Sequence, residues 1–410
     1  MHSLAATKYR TFVLIGLLYA WSLIWLPLTY GATIIVDPTM GETISDALVQ
    51  AVSGDEIVLL DGIYVGPGNR NLVIPPEIDS LTIRGSSHPE YCIIDSQTWA
   101  PILAAQGTDL IIRDIRFRNG NGESGSAVFC SGGSLDARNC EFIDNIAGGD
   151  GGAVCLLNTD GSTLSNCLFS GNSSVTGAAV YMDFTDNTQI FHSTFSGNNS
   201  GNSAVIHARH SDNLHVLYSI LWNPGTEEII MEAGTLEVAY SNVDQIFPDP
   251  NMSSDPMFVP GSFGDHYLMQ ISGGYQSDSP SVDAFDGILA ADFPEFADRT
   301  TSSYNQTDTD ELDLGYHYFQ DTTFVTPTPT ATPEPSPTPT ATPTPTITPG
   351  PTPEFEVELS LEDSELAPGD FFDLSLNVAN WVDQENPLRL LVILDVYNSY
   401  FFYPAWTDEF

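Results

Sequence analysis

Asp308, Asp310, Glu311 and Asp313 place four carboxylates within six residues, a density suited to a hard cation such as calcium. The segment lacks the glycine and distal glutamate of an EF-hand loop, so a solvated turn is the competing reading. Arg113 and Arg138 recur 25 residues apart with Asp114 and Asp136 beside them, and Arg116 and Glu141 repeat the interval. Such a set makes either a small groove for acidic groups or a ladder of surface ion pairs. His207, His210 and His215 are a sparser set of metal-type ligands. Five cysteines, an odd number with no Cys-x-x-Cys pair, leave zinc unsupported.

The elements that position these groups emerge from self-similarity. Segments ending in Phe117, Phe142, Phe169, Phe195, Leu221 and Val243 recur at intervals of 25, 27, 26, 26 and 22 residues. Two positions earlier the column reads Ile115, Cys140, Cys167, Ser193, Ser219, Ser241, a slot for small side chains. Cys140 and Cys167 are therefore expected as a buried stack, with a disulfide as the alternative. Turns at Asp114, Asn139 and Asn166 separate two short strands in each repeat, and Ala127-Val128, Ala153-Val154, Ala179-Val180 and Ala204-Val205 supply a third. This period and strand count predict an all-β chain, a parallel β-helix whose like residues stack about 4.8 Å apart. Phe117, Phe142, Phe169 and Phe195 form its expected core ladder. Phe169→Ala is then expected to be costly and Thr194→Ala, at an outward position, almost neutral.

Phe142-Ile-Asp-Asn145, Phe169-Ser-Gly-Asn172 and Phe195-Ser-Gly-Asn198, alternating with Gly151-Gly152-Ala153-Val154, resemble the repeats of polymorphic outer-membrane proteins. More broadly they are similar to bacterial right-handed β-helix surface proteins of the pectin-lyase-like superfamily. The autotransporter barrel of the former is missing, so the resemblance carries over no anchoring mechanism. The superfamily includes pectate lyases, with an Arg or Lys base and Asp-bound calcium, and hydrolases with Asp clusters. By that resemblance Arg113, Arg138, Asp114 and Asp136 are the residues an enzyme would use. The Arg-Ile-Lys, Asn-Thr-Asp and Gly-His-Gly signatures of the hydrolases do not occur. Asp255-Pro-Met-Phe258, Asp265-His-Tyr-Leu268, Ser279-Pro-Ser-Val-Asp283 and Asp313-Leu-Gly-Tyr-His-Tyr318 resemble the segment after the helix in choice-of-anchor Q proteins.

Five regions follow. Residues 1–32 read as a signal peptide, with Lys8 and Arg10 before the apolar run 11–28, or as an N-terminal membrane anchor through that run. Residues 33–243 are the β-helix, opened by a short helix whose Ile44, Leu48 and Ala51 cover its end. Residues 244–325 are expected to pack back on the last coils and cover the outward Leu168, Phe191, Leu217 and Ile220. Residues 326–353, alternating Thr and Pro, are an extended linker. Residues 354–410 read as an incomplete, immunoglobulin-like β-sandwich, truncated or completed by a partner.

Only Lys8 and Arg10 among the bases precede residue 33, so a mature chain carries nine arginines, no lysine and all 54 acids, a net charge of −45. That field opposes nucleic acid and is poorly matched to anionic pectate. The sequence therefore points to an extracellular bacterial protein, secreted or at the cell surface, that binds a glycan or a protein without catalysis. A polysaccharide lyase or glycoside hydrolase acting on an acidic glycan is the alternative. No cofactor is expected other than calcium at the 308–313 carboxylates.

Overall fold

The computed structural model describes residues 31–201, 203–287, 289, 293–308 and 311–320, with the strand backbones Glu356–Leu361, Leu374–Ala379, Val392–Val396 and Ser399–Tyr403. The Thr-Pro linker and all but the last two residues of the expected signal or anchor lie outside the described residues. Among the described residues no helix is long and apolar enough to cross a membrane. The chain divides into two units, residues 1–330 and 331–410. In the second, the described strands form two antiparallel pairs, Glu356–Leu361 with Leu374–Ala379 and Val392–Val396 with Ser399–Tyr403.

The first unit is a parallel β-helix of about eight turns. Its first ladder has nine strands, from Thr33–Val36 to Gly234–Ala239. The second has eight, from Gly62–Tyr64 to Asn242–Val243, and the third seven, from Leu72–Val73 to Glu227–Met231. Each strand pairs in parallel with its counterpart one coil away, so one column of side chains repeats along the axis. The second ladder aligns Tyr64, Ile94, Phe117, Phe142, Phe169, Phe195, Leu221 and Val243 in register, extending the expected column by two members. The four phenylalanine rings stack nearly parallel, with centroids 5.4, 4.6 and 4.5 Å apart, because the strand spacing is also a ring-stacking distance.

Two polar devices hold the corners. At the corner between the first and second ladders, Asp114, Asn139, Asn166, His192, Tyr218 and Tyr240 all adopt left-handed backbone, as the turn reading of the first three expects. Asn and Asp tolerate that region better than other non-glycine residues. At the next corner the Asn of each Phe-x-x-Asn stacks inward, and Asn145, Asn172, Asn198 and Asn223 form a buried chain of amide bonds at 2.9–3.2 Å. The motif thus satisfies backbone groups that would otherwise be buried unpaired.

The cysteine slot is a buried stack: all five cysteines are free and buried, and Cys92 joins Cys140 and Cys167 in the small-residue column. One column shifts. Val180 lies opposite Ile206, and Ala178 rather than Ala179 bonds to Ala204, so the expected Ala204-Val205 alignment is off by one residue. Ile206 follows Phe195 at the same interval at which Val180 follows Phe169, so Ile206 rather than Val205 takes the inward place. Upstream, the helix Ile44–Gln50 starts at Thr43, whose hydroxyl accepts from Asp46 N at 3.2 Å, and Ile44, Ala47, Leu48 and Ala51 join the core.

Beyond Val243, Phe247 packs against the end of the core, and the described residues from Met252 to Tyr318 include those that lie against the outer face of the second ladder. Leu168 packs with Val259, Tyr267, Tyr316 and Tyr318, and Ile220 with Leu268 and Leu314, while Phe191 and Leu217 stay half-buried. Gly315 N donates to Tyr218 O at 3.0 Å, and His317 N to Asn166 Oδ1 at 2.7 Å. Thr194 overturns its expected exposure: it is 1% exposed, and its hydroxyl accepts from Tyr316 N at 2.9 Å. Its removal would leave a buried donor unpaired, so Thr194→Ala is not a neutral change.

Candidate functional site

The arginine column stands where the repeat places it, with Arg84, Arg113 and Arg138 in register on the outer face of the first ladder. Each has a carboxylate at hand. Arg138 Nε lies 2.7 Å from Asp136 Oδ1, Arg113 Nη2 lies 3.9 Å from Asp136 Oδ2, and Arg84 Nε lies 2.7 Å from Glu56 Oε1. Asp114 points away from this set, toward Arg299 Nη2 at 3.6 Å and Asn139 Nδ2 at 3.1 Å, and burial raises its pKa. The geometry is an ion-pair ladder in which Asp136 bridges two guanidinium groups.

One face over, the docked segment covers Arg116, which is half-buried, and Glu141, which is buried. Arg116 Nε lies 2.5 Å from Glu141 Oε2, and Tyr316 donates its hydroxyl to Glu141 Oε1 at 3.1 Å. Both oxygens of Glu90 are buried nearby without a hydrogen-bond partner, and so is Arg299 Nη1. Burial first, and then the Glu141 charge, push the Glu90 pKa from 4.5 to about 8. Between those two values the unfolded chain has released the proton that the folded chain retains, so this group lowers stability as pH rises across the window. Glu90→Gln is therefore expected to raise the melting temperature at pH 8 by roughly 2–5 °C and to leave it unchanged at pH 4. Equal melting temperatures for the two proteins across that range would refute the burial of this carboxyl.

The 308–313 carboxylates are only partly gathered. Asp308 Oδ2 lies 3.2 Å from His317 Nε2 and accepts from Asp313 N at 3.3 Å. Asp313, buried, accepts from Gln270 Nε2 and Asp283 N at 2.9 Å and from the Thr301 hydroxyl, and burial raises its pKa well above the usual range. Its oxygens thus face donors of the protein. Glu311 sits in an isolated bridge with Leu289, and Asp310 lies outside the described residues. Among the described residues no three His, Cys, Asp or Glu side chains are arranged to hold a metal ion. His207, His210 and His215 do not converge; they pair separately with Glu232, Asp183 and Glu237.

The open surface lies elsewhere, at the N-terminal end of the third ladder. Two adjoining clefts of about 330 and 390 Å³ share Asn71 and Leu72; Val73 and Arg70 also line the first, and Pro101, Phe129 and Glu123 the second. Trp99 stands beside them, 75% exposed, with the Arg70 guanidinium 5.7 Å from its ring centroid. Its turn is well braced. Ser96 Oγ donates to Ala100 O at 2.5 Å, Gln97 N donates to Asp95 Oδ1 at 2.8 Å, and Thr98 N donates to Asn119 O of the next coil at 2.8 Å. An exposed indole on a braced turn, next to an arginine and two clefts, suits a flat, hydroxyl-rich ligand face. Nothing in the sequence marks Trp99, because it belongs to no column and no motif.

The model of a right-handed beta helix region matches residues 61–243, the stretch from the Gly62–Tyr64 strand to the end of Asn242–Val243. The architecture is thus a right-handed parallel β-helix. The search of curated proteins finds no match.

Proposed function

We propose that this chain is an extracellular β-helix protein that binds a neutral glycan along the third face at Trp99 and does not cleave glycan chains. The single observation carrying this reading is a braced, exposed Trp99 beside Arg70 and the two clefts. The ion-pairing of Arg113, Arg138 and Asp136 argues against the lyase alternative, since a base of that chemistry must be free to take a proton. The acidic surface favours an uncharged ligand. Within this reading we place the chain with pectin-lyase-like surface proteins, take Ile44–Gln50 as the cap of the open core end, and assign residues 1–32 to export or membrane attachment. The 244–325 segment closes the second face, and residues 354–410 form a sandwich module on a Thr-Pro spacer.

A screen of immobilised glycans with the full chain, followed by calorimetry on the best binder, tests this. Trp99→Ala is expected to weaken binding at least about tenfold, the effect of losing one stacking anchor, with an unchanged melting temperature. Binding indifferent to Trp99 would remove the assigned site. Release of unsaturated or reducing sugars from an acidic glycan, abolished by Arg113→Ala or Arg138→Ala, would establish the lyase or hydrolase instead.

A further inference from the structure

The corner ahead of the strand Ala204–Arg209 holds a different arrangement, away from the Trp99 clefts. Ser203 Oγ lies 2.5 Å from His207 Nδ1, and His207 Nε2 lies 3.1 Å from Glu232 Oε1. The second oxygen of Glu232 sits 3.0 Å from Arg209 Nε, and Arg209 Nη1 donates to the Tyr181 hydroxyl at 3.1 Å. Three successive coils contribute. Tyr181 and His207 are in register on the outer face of the third ladder, and Glu232 follows the next strand, with its backbone N–H donating to Ala208 O at 2.9 Å. The imidazole is almost buried, whereas Ser203 is half-exposed and reachable from solvent. Hydroxyl, imidazole and carboxylate in a row, with the half-exposed carboxylate ion-paired to Arg209, is the arrangement that activates a serine.

We propose that Ser203, His207 and Glu232 form a nucleophilic relay that hydrolyses small uncharged carboxylic esters, such as acyl groups on a hydroxylated ligand. Ser203 Oγ bonds to the ester carbonyl carbon as its proton passes to His207 Nδ1. The alkoxide then leaves, takes that proton and departs as the alcohol. Water attacks the acyl-serine, gives a proton to His207, and the carboxylic acid is released as His207 returns the proton to Ser203 Oγ. Ester and water thus become acid and alcohol with no further reactant. Ser203 and His207 are the catalytic residues; Glu232 is a positioning residue that holds the imidazole, and Arg209 holds Glu232. The net charge of −43 disfavours anionic esters. This activity goes beyond the binding reading and stands on other residues, so either can fail alone.

The test uses the full chain, a fluorophosphonate reporter and p-nitrophenyl acetate. The reporter is expected to modify Ser203, located by peptide mass, and Ser203→Ala to abolish the labelling at an unchanged melting temperature. Turnover should fall about a hundredfold or more in His207→Ala and recover with added imidazole, a rescue that a structural role would not produce. Glu232→Gln should lower kcat about tenfold with KM unchanged. Labelling of the native chain no greater than that of Ser203→Ala overturns the proposal whatever the histidine variant does. Labelling that persists undiminished in a folded His207→Ala overturns the relay.

Discussion

Phe169→Ala is expected to lower the unfolding free energy by about 3–5 kcal/mol, the range for truncating a fully buried aromatic ring. Phe169 is wholly buried, with Phe142 4.6 Å below it and Phe195 4.5 Å above. Those neighbours cannot close the gap, because each is tied to a strand whose spacing is fixed by ladder hydrogen bonds. The cavity therefore persists and its cost adds to the lost transfer free energy. Because each coil contacts mainly its neighbours, the damage should be local, with amide exchange accelerating most in the coils of residues 142–195. Gln189, exposed on the first ladder, supplies the comparison: Gln189→Ala should cost under about 0.5 kcal/mol. Urea titrations giving equal, small losses at both positions would contradict the register.

That register was legible because a solenoid writes it repeatedly. The phenylalanine and Cys/Ser columns recur at near-constant intervals, and one side-chain type at one place in each coil leaves little freedom for misalignment. Legibility ended where the repeat lost contrast. Ala204, Val205 and Ile206 are all buried, so no alternation marks which faces Val180, and Ala204-Val205 repeats the Ala-Val pair of the earlier coils one residue ahead of the true column. Ile94 and Tyr64 escaped because the first coils are irregular in length and carry no phenylalanine in the column. Burial of Thr194 was illegible for another reason: its cover, Tyr316, lies 122 residues away and no local pattern encodes docking.

The candidate sites divide in the same way. The shared column of Arg113 and Arg138 followed from the period, but the partner of Asp114 is Arg299, from the docked segment. Ser203, His207 and Glu232 come from the corner and the two coils where the period shortens, so only the histidine stood out in sequence. Trp99 is a single residue on a turn, and a single residue has no period.

The second large effect concerns the amide chain. Asn172 Oδ1 accepts from Asn145 N and Asn145 Nδ2 at 3.0 Å, while Asn172 Nδ2 donates to Phe142 O and Asn198 Oδ1 at 2.9 Å. Asn172→Ala orphans the Asn145 N–H and one Asn145 Nδ2 hydrogen in the core, and at about 1–3 kcal/mol for each buried unpaired group the loss should be roughly 2–5 kcal/mol. Asn172→Asp separates the donor role from the acceptor role. It keeps both acceptor contacts to Asn145 but turns a charged carboxylate toward the oxygens of Phe142 and Asn198. At pH 7 it should therefore be less stable than Asn172→Ala. Burial must raise the folded pKa of the introduced acid, so the folded form binds the extra proton and stability increases as pH falls toward 4, where a protonated oxygen can donate again. Thermal melts of both variants at pH 4 and pH 7 would decide the matter. An aspartate variant as stable as the native chain at pH 7 would mean that the Phe-x-x-Asn asparagines face water and that their recurrence does not arise from a buried ladder.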